Sequence, residues 1–104
     1  MQFQYIGKSQ TPLTQASQHK HISWELIYNA KGAGTMEIEG KQYPFSEGSV
    51  LLCPPGMCHS KYSENAFEDY YVTFTDPSLA RQVYTLEDKN AQEIFHILQV
   101  LFEN

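Results

Sequence analysis

Polar and apolar residues of this chain alternate in short bursts between turn signals, and a period of two predicts strands. Phe3 and Tyr5 alternate with Gln2 and Gln4, which predicts a first strand ending at Gly7. Residues 9–18 are polar and weakly patterned, a loop or an edge segment. Alternation returns over 19–30, with His19, His21, Ser23, Glu25 and Ile27 on one parity and Ile22, Trp24, Leu26 and Tyr28 on the other. Lys31-Gly32-Ala33-Gly34 turns the chain into a strand over 35–39, and Gly40-Lys41 predicts a tight hairpin with 42–45 returning. Ser46-Glu47-Gly48 turns again into the apolar run 50–53, which enters Pro54-Pro55-Gly56. Beyond it lie an extended stretch at 57–62, a polar loop at 63–66 and a strand over 70–75. Strands this short and this closely spaced predict an antiparallel sandwich or barrel.

The character changes at Asp76-Pro77, a turn or helix-start signal, so a short helical turn through Arg81 is expected. Asp88 or Asn90 would cap a longer helix, in which Ile94, Ile97, Leu98 and Leu101 fall at helical spacing. Phe95, Val100 and Phe102 widen its apolar arc beyond a simply amphipathic face. Part of that arc is expected to pack on the sheet and part on a second copy or a further segment. His96, within the arc, reads as a helix-face residue without chemistry. The expected division is a barrel over residues 1–76 and a helical segment over 77–104.

A chain of 104 residues supports one core, and its 13% aromatic content buries area with few residues. The net charge is −5 and the basic residues are scattered singly, so nothing here tracks a phosphate backbone. No apolar run exceeds the four residues 50–53, which excludes a membrane-spanning helix. The start lacks a charged head and an apolar core segment, so no export signal is read and a cytoplasmic location is expected. Cys53 and Cys58 are separated by four residues, not two, and no second pair exists, which argues against a zinc knuckle. Cys53 reads as a small buried residue and Cys58 as an ordinary thiol; a cytosolic setting argues against a disulfide between them. No nucleophile elbow, phosphate loop or dinucleotide fingerprint is present, so any catalysis would have to come from a metal.

The candidate chemistry lies in His19, His21, Glu25 and His59, three imidazoles and a carboxylate that suit a transition metal. The same four would equally serve as the polar lining of a small-molecule pocket. Imidazoles two apart on a strand point the same way, about 6.6 Å apart, and can reach one ion. Glu25 on a straight strand would stand about 13 Å from His21, so a shared site requires a sharp bend between Ile22 and Trp24. That segment has no Gly or Pro to make one. Glu37 and Glu39 read as a solvated outer face. Tyr28, Tyr43, Tyr70 and Tyr71 are candidates to stack in a sugar cavity, although core packing explains them equally well.

These residues resemble the cupin motifs. His19, His21, Glu25 and Gly32 match the first motif in spacing, with Leu13 where its leading glycine belongs. Gly48, Pro54, Gly56 and His59 match the second, with Ser63 in place of its asparagine. The resemblance implies an all-β fold with a C-terminal helix: a double-stranded β-helix, or jelly-roll barrel, followed by one or two helices. It also implies a site inside the barrel and a bend between the histidines and the glutamate. Trp24-Glu25-Leu26-Ile27-Tyr28, Gly32-Ala33-Gly34 and Tyr71-Val72-Thr73-Phe74 make the chain similar, more narrowly, to the N-terminal domain of AraC-type transcriptional regulators. That likeness implies a small-molecule effector, often a sugar, held by His19, His21, Glu25, His59 and Tyr71. It further implies a homodimer and DNA binding only through a C-terminal domain expected to begin where this chain stops, at Asn104. The chain thus resembles an excised sensor domain or a stand-alone relative. On this likeness the metal-free pocket is favoured, with a zinc, iron, manganese or nickel ion at the four ligand positions as the alternative. The runner-up function is a metal-dependent cupin enzyme of the dioxygenase or isomerase class.

Overall fold

The computed structural model describes residues 1–9 and 13–88, without the side chains at 13, 14 and 17–19. Eight strands run in chain order as β1 (Gln2–Lys8), β2 (Leu13–His19), β3 (Trp24–Lys31), β4 (Gly34–Ile38), β5 (Lys41–Phe45), β6 (Ser49–Cys53), β7 (His59–Thr75) and β8 (Tyr84–Glu87). All pair antiparallel. The second half of β7 joins a sheet ordered β1-β7-β3-β6-β8. Its first half joins a smaller sheet ordered β5-β4-β7-β2. A strand that passes from one sheet to the other closes the corner of a sandwich.

That corner sits on the polar residues 63–66, expected as a loop. The chain stays extended there as part of a 17-residue strand. The register against β2 shifts at this point, Gln15 facing Tyr62 while Leu13 faces Phe67. From the stretch 9–18, which carries little pattern, residues 13–18 belong to the edge strand β2. The expected hairpin falls one residue earlier than its sequence signal. Ile38 pairs with Lys41, and Glu39 and Gly40 both take positive φ, 49° and 81°, as a two-residue I′-type turn requires. The alternating stretch 19–30 is broken at 20–23, where β2 ends in the smaller sheet and β3 begins in the larger. This is the bend that a shared His–Glu site demands.

A correction concerns the segment after Pro77. A helical turn was expected through Arg81, but residues 77–82 form turns and bends, and Tyr84–Glu87 pairs with β6 as an edge strand. The helix expected from Asp88 or Asn90 onward, His96 included, lies outside the described residues.

Alternation decides what each face buries. Ile27, Leu51 and Cys53 from the larger sheet meet Met36, Ile38, Phe45 and Phe67 from the smaller one. The opposite face of the larger sheet buries Tyr28, Val50, Tyr70 and Val72, with Trp24 stacked on Phe74 at 6.1 Å. Each such fully buried side chain contributes roughly 1.5–3 kcal/mol. Of the four candidate tyrosines, Tyr71 alone points into the space between the sheets as a cavity residue. Tyr28 and Tyr70 pack on the opposite face, and Tyr43 packs against the interior cluster.

Candidate functional site

The Pro54-Pro55-Gly56 turn is held from three sides. Gly56 N donates to the His21 carbonyl at 2.7 Å, which ties the turn to the bend before β3. Arg81 donates through Nη2 at 2.8 Å and Nε at 3.2 Å to the Pro55 carbonyl. Glu39 N donates to the Cys58 carbonyl and Cys58 N donates to Glu39 Oε2, each at 2.9 Å. Glu39 is exposed, as expected of it, yet it fastens this turn. The first residue past the clamp is His59, whose side chain is thereby aimed inward at the start of β7.

Glu25, 6% exposed at the start of β3, bridges two imidazoles. His59 Nε2 lies 3.1 Å from Oε1, and His21 Nε2 lies 2.9 Å from Oε2. The two rings stand 5.7 Å apart. His59 Nδ1 is 3.3 Å from both Cys53 Sγ and the Met57 carbonyl. Burial alone would push the His59 imidazolium down, but its hydrogen bonds with Cys53 and Glu25 outweigh that and raise its pKa to about 10. Cys53 is buried, as expected, and has this second part in orienting His59; Cys53 and Cys58 are both free thiols.

These residues open onto a cavity of about 500 Å³ between the sheets. Ala16, Ile27, Met36 and Phe67 form its apolar walls. Tyr71 stands on its floor, in register with Ile27 and with Gly7. A Cβ on Gly7 would meet the Tyr71 ring at 2.4–2.6 Å, so only glycine leaves room for the ring in this position. Burial, followed by the neighbouring Tyr5 phenol, holds the Tyr71 hydroxyl pKa above the ordinary phenol range.

The structure therefore brings together His21, Glu25, His59 and Tyr71. His19 is the backbone partner of His59 across β2 and β7, and its side chain is outside the described ones. Donor atoms of His21, Glu25 and His59 lie within 4.8 Å of one another. Two imidazoles and a carboxylate fit a divalent transition ion by donor type and reach. At the other end of the cavity stand Lys61 and Asp69, which the sequence reading passed over. A signal for Lys61 existed: it lies two residues past His59, so the same alternation that turns His59 inward turns Lys61 inward too.

The sequence pattern of the AraC-like ligand binding domain matches residues 5–103. The chain belongs to this family. This AraC-like domain is 30% identical over 73 residues to the uncharacterized HTH-type transcriptional regulator YfiF of Bacillus subtilis (strain 168), which covers 67% of the chain. The domain spans about 23% of that relative's length. Its fold is similar to a predicted oxalate decarboxylase from Thermotoga maritima, with a TM-score of 0.63 and 23% identity over 72% of this chain and 69% of that one. It is also similar to a cupin protein from Bacteroides fragilis, at a TM-score of 0.59 and 19% identity over 82% and 73% of the two chains. The AraC-like domain thus has a cupin-like fold, and its candidate site lies between the two sheets of the sandwich.

Proposed function

We propose that the cavity holds a small-molecule effector and that the domain senses it on behalf of an AraC-type transcriptional regulator. The observation that carries this reading is the cavity itself. It has about 500 Å³ of space with apolar walls, and polar groups converge on it from separate elements. Its membership of the ligand-binding family supports the same reading. The effector is a hydroxyl-bearing molecule, with a sugar as the first candidate. His21, Glu25, His59 and Tyr71 bind its hydroxyls, and His19 joins them from β2. Nothing in this reading requires bond making or breaking. A homodimer carries the signal, and the regulator meets DNA in the cytoplasm through a domain outside this chain.

The test uses a reporter gene under the intact regulator. A sugar panel is expected to contain a compound that changes reporter output at least tenfold, with the response lost in Glu25→Gln. Reporter output that no compound moves, from a protein that keeps its cavity, would sink the sensor reading. Light scattering reads the dimer, and a monomer at micromolar concentration removes that part.

One observation favours a second reading, a metal-dependent cupin enzyme: the clustered donor atoms of His21, Glu25 and His59. A bound ion would be held by these three and would supply Lewis-acid chemistry at the cavity end. To ligate, His59 must be neutral, so binding of an ion would release any proton held between His59 and Glu25. Elemental analysis after reconstitution with iron, manganese, nickel or zinc decides the matter. One tightly held ion per chain at pH 7 would favour the enzyme.

A further inference from the structure

The cavity has a second polar end that neither the cupin motifs nor the metal reading uses. On β3, Glu25, Ile27 and Asn29 share one face, so Asn29 lies about 13 Å from Glu25 along the strand. Asn29 pairs in register with Asp69 on β7. Lys61, from the first half of β7, reaches across to both. Its ammonium donates to Asp69 Oδ2 at 2.7 Å and to Asn29 Oδ1. It also lies 4.4 Å and 4.5 Å from the ring centroids of Phe67 and Phe45. Asn29 is fully buried and its Nδ2 donates to the Ser49 carbonyl at 2.9 Å, which fixes Oδ1 toward Lys61. Asp69 is fixed as well: Ser9 N donates to its carbonyl at 2.9 Å, and its own N donates to Ser9 Oγ at 3.1 Å.

The geometry points to a second anchoring site, in which the Asp69 carboxylate, backed by Lys61 and Asn29, accepts a hydrogen bond from an uncharged hydroxyl or amide N–H of the ligand. The asymmetry of burial assigns the roles. The Lys61 side chain is 2% exposed and that of Asp69 is 14%, so the carboxylate is the open partner and the ammonium stands behind it. Burial draws the Lys61 ammonium down from its ordinary pKa while Asp69 pulls it back up. The pair is charge-balanced. A ligand carboxylate here would face Asp69, and a ligand ammonium would face Lys61 close behind, so each is penalised. A neutral donor meets neither penalty. Between the two ends the walls are Ile27, Met36 and Phe67, which suit an apolar or ring-shaped middle. This inference rests on the effector-pocket reading and sharpens it. The ligand is polar at both ends, and its far end is uncharged.

The test uses four phenols that differ only at the para position: 4-(hydroxymethyl)phenol, 4-hydroxybenzamide, 4-hydroxybenzoate and 4-hydroxybenzylamine. Ligand-observed NMR titration at millimolar concentration reads their binding to the full chain. The hydroxymethyl and amide forms are expected to bind at least tenfold tighter than the two charged forms. Asp69→Asn keeps an acceptor for Lys61 but leaves the ammonium unbalanced, so 4-hydroxybenzoate should gain about tenfold relative to the neutral probes. Lys61→Met should shift the preference to 4-hydroxybenzylamine, and if that variant fails to fold the Asp69→Asn arm stands alone. An unchanged ranking across wild type and variants, a wild-type preference for the carboxylate, or no binding by any probe overturns the second anchor. Glu25→Gln separates the two failures. If it weakens every probe while the ranking ignores position 69, the pocket stands and the second anchor falls. If it too is without effect, both fall.

Discussion

Gly7 and Tyr71 show how much of the cavity depends on one missing atom. The Tyr71 ring covers Gly7 across the β1–β7 pair, where a Cβ would sit 2.4–2.6 Å from the ring. Gly7→Ala must therefore displace Tyr71, at a cost of about 1–3 kcal/mol for the overpacking. Urea denaturation of Gly7→Ala alone and in a Tyr71→Ala background checks this. The penalty should fall by at least half in the double variant, because the clash partner is gone. A full penalty in both backgrounds would show that the strand, not the ring, resists the methyl. The same variant should lower effector affinity, since the phenol on the cavity floor moves. Among the described side chains, the inward-facing ones were readable to the extent that alternation from a known anchor was followed. His59 was legible from the Pro54-Pro55-Gly56 turn, while Lys61, two residues on, was passed over because lysine is rarely buried unless paired. Its partners are Asp69, eight residues on along the same bent strand, and Asn29 on β3, and no period-two pattern records either contact.

At the level of elements, the strands with strong alternation or clear turn chemistry were legible, and those defined by their partners were not. The Glu39-Gly40 hairpin and the 50–53 run announce themselves through turn residues and apolar content. The bend at 20–23 does not, because it arises from β2 and β3 joining different sheets and from Gly56 donating to His21. β8 is a four-residue strand whose burial pattern is nearly all exposed, so it was overshadowed by the turn signal before it. Besides its pairing with β6, β8 is fastened by two contacts at Asp88, the residue that follows it. Asp88 N donates to the Gly48 carbonyl at 2.9 Å, and Tyr28 Oη donates to Asp88 Oδ2 at 2.6 Å. A hydrogen bond to a charged acceptor contributes about 1.5–3 kcal/mol. Tyr28→Phe removes it without changing the ring that packs beside Val50, Tyr70 and Val72. The expected result is a loss of about 2 kcal/mol in local opening free energy, read as faster amide exchange at 84–88. Exchange that accelerates equally in β3 and β7 would mean that the bond supports the whole sheet rather than its edge. The outcome bears on signalling, because β3 presents Tyr28 to Asp88 on one face and Ile27 and Asn29 to the interior on the other. Under the proposed sensor function, a ligand that shifts β3 would be felt at Asp88, one of the two residues expected to cap the terminal helix.

For the whole molecule, two buried cations act on the alkaline side of the stability curve, with opposite sign. His59 has its pKa raised to about 10 in the folded chain, against about 6.5 when unfolded. Between these values the native state holds a proton that the unfolded state has released, so stability falls as pH rises. The contribution is complete below about pH 6.5 and is gone once pH has passed through the folded value. Its slope cannot exceed about 1.4 kcal/mol per pH unit for one proton. Lys61 works the other way. Burial lowers its folded pKa below the ordinary lysine value, so near that value the unfolded chain binds the extra proton and stability rises with pH. Lys61 opposes the His59 decline wherever the two windows overlap, so the His59 share is read by comparing the wild-type chain with a His59 variant. Denaturation midpoints at pH 6, 7, 8 and 9 should fall steadily in the wild-type chain. His59→Gln should flatten that decline while being less stable at pH 6, because Glu25 then loses the imidazolium that balances it. A profile that keeps its slope in His59→Gln would mean that the proton belongs elsewhere, and would remove the imidazolium–carboxylate pair as the source of the decline.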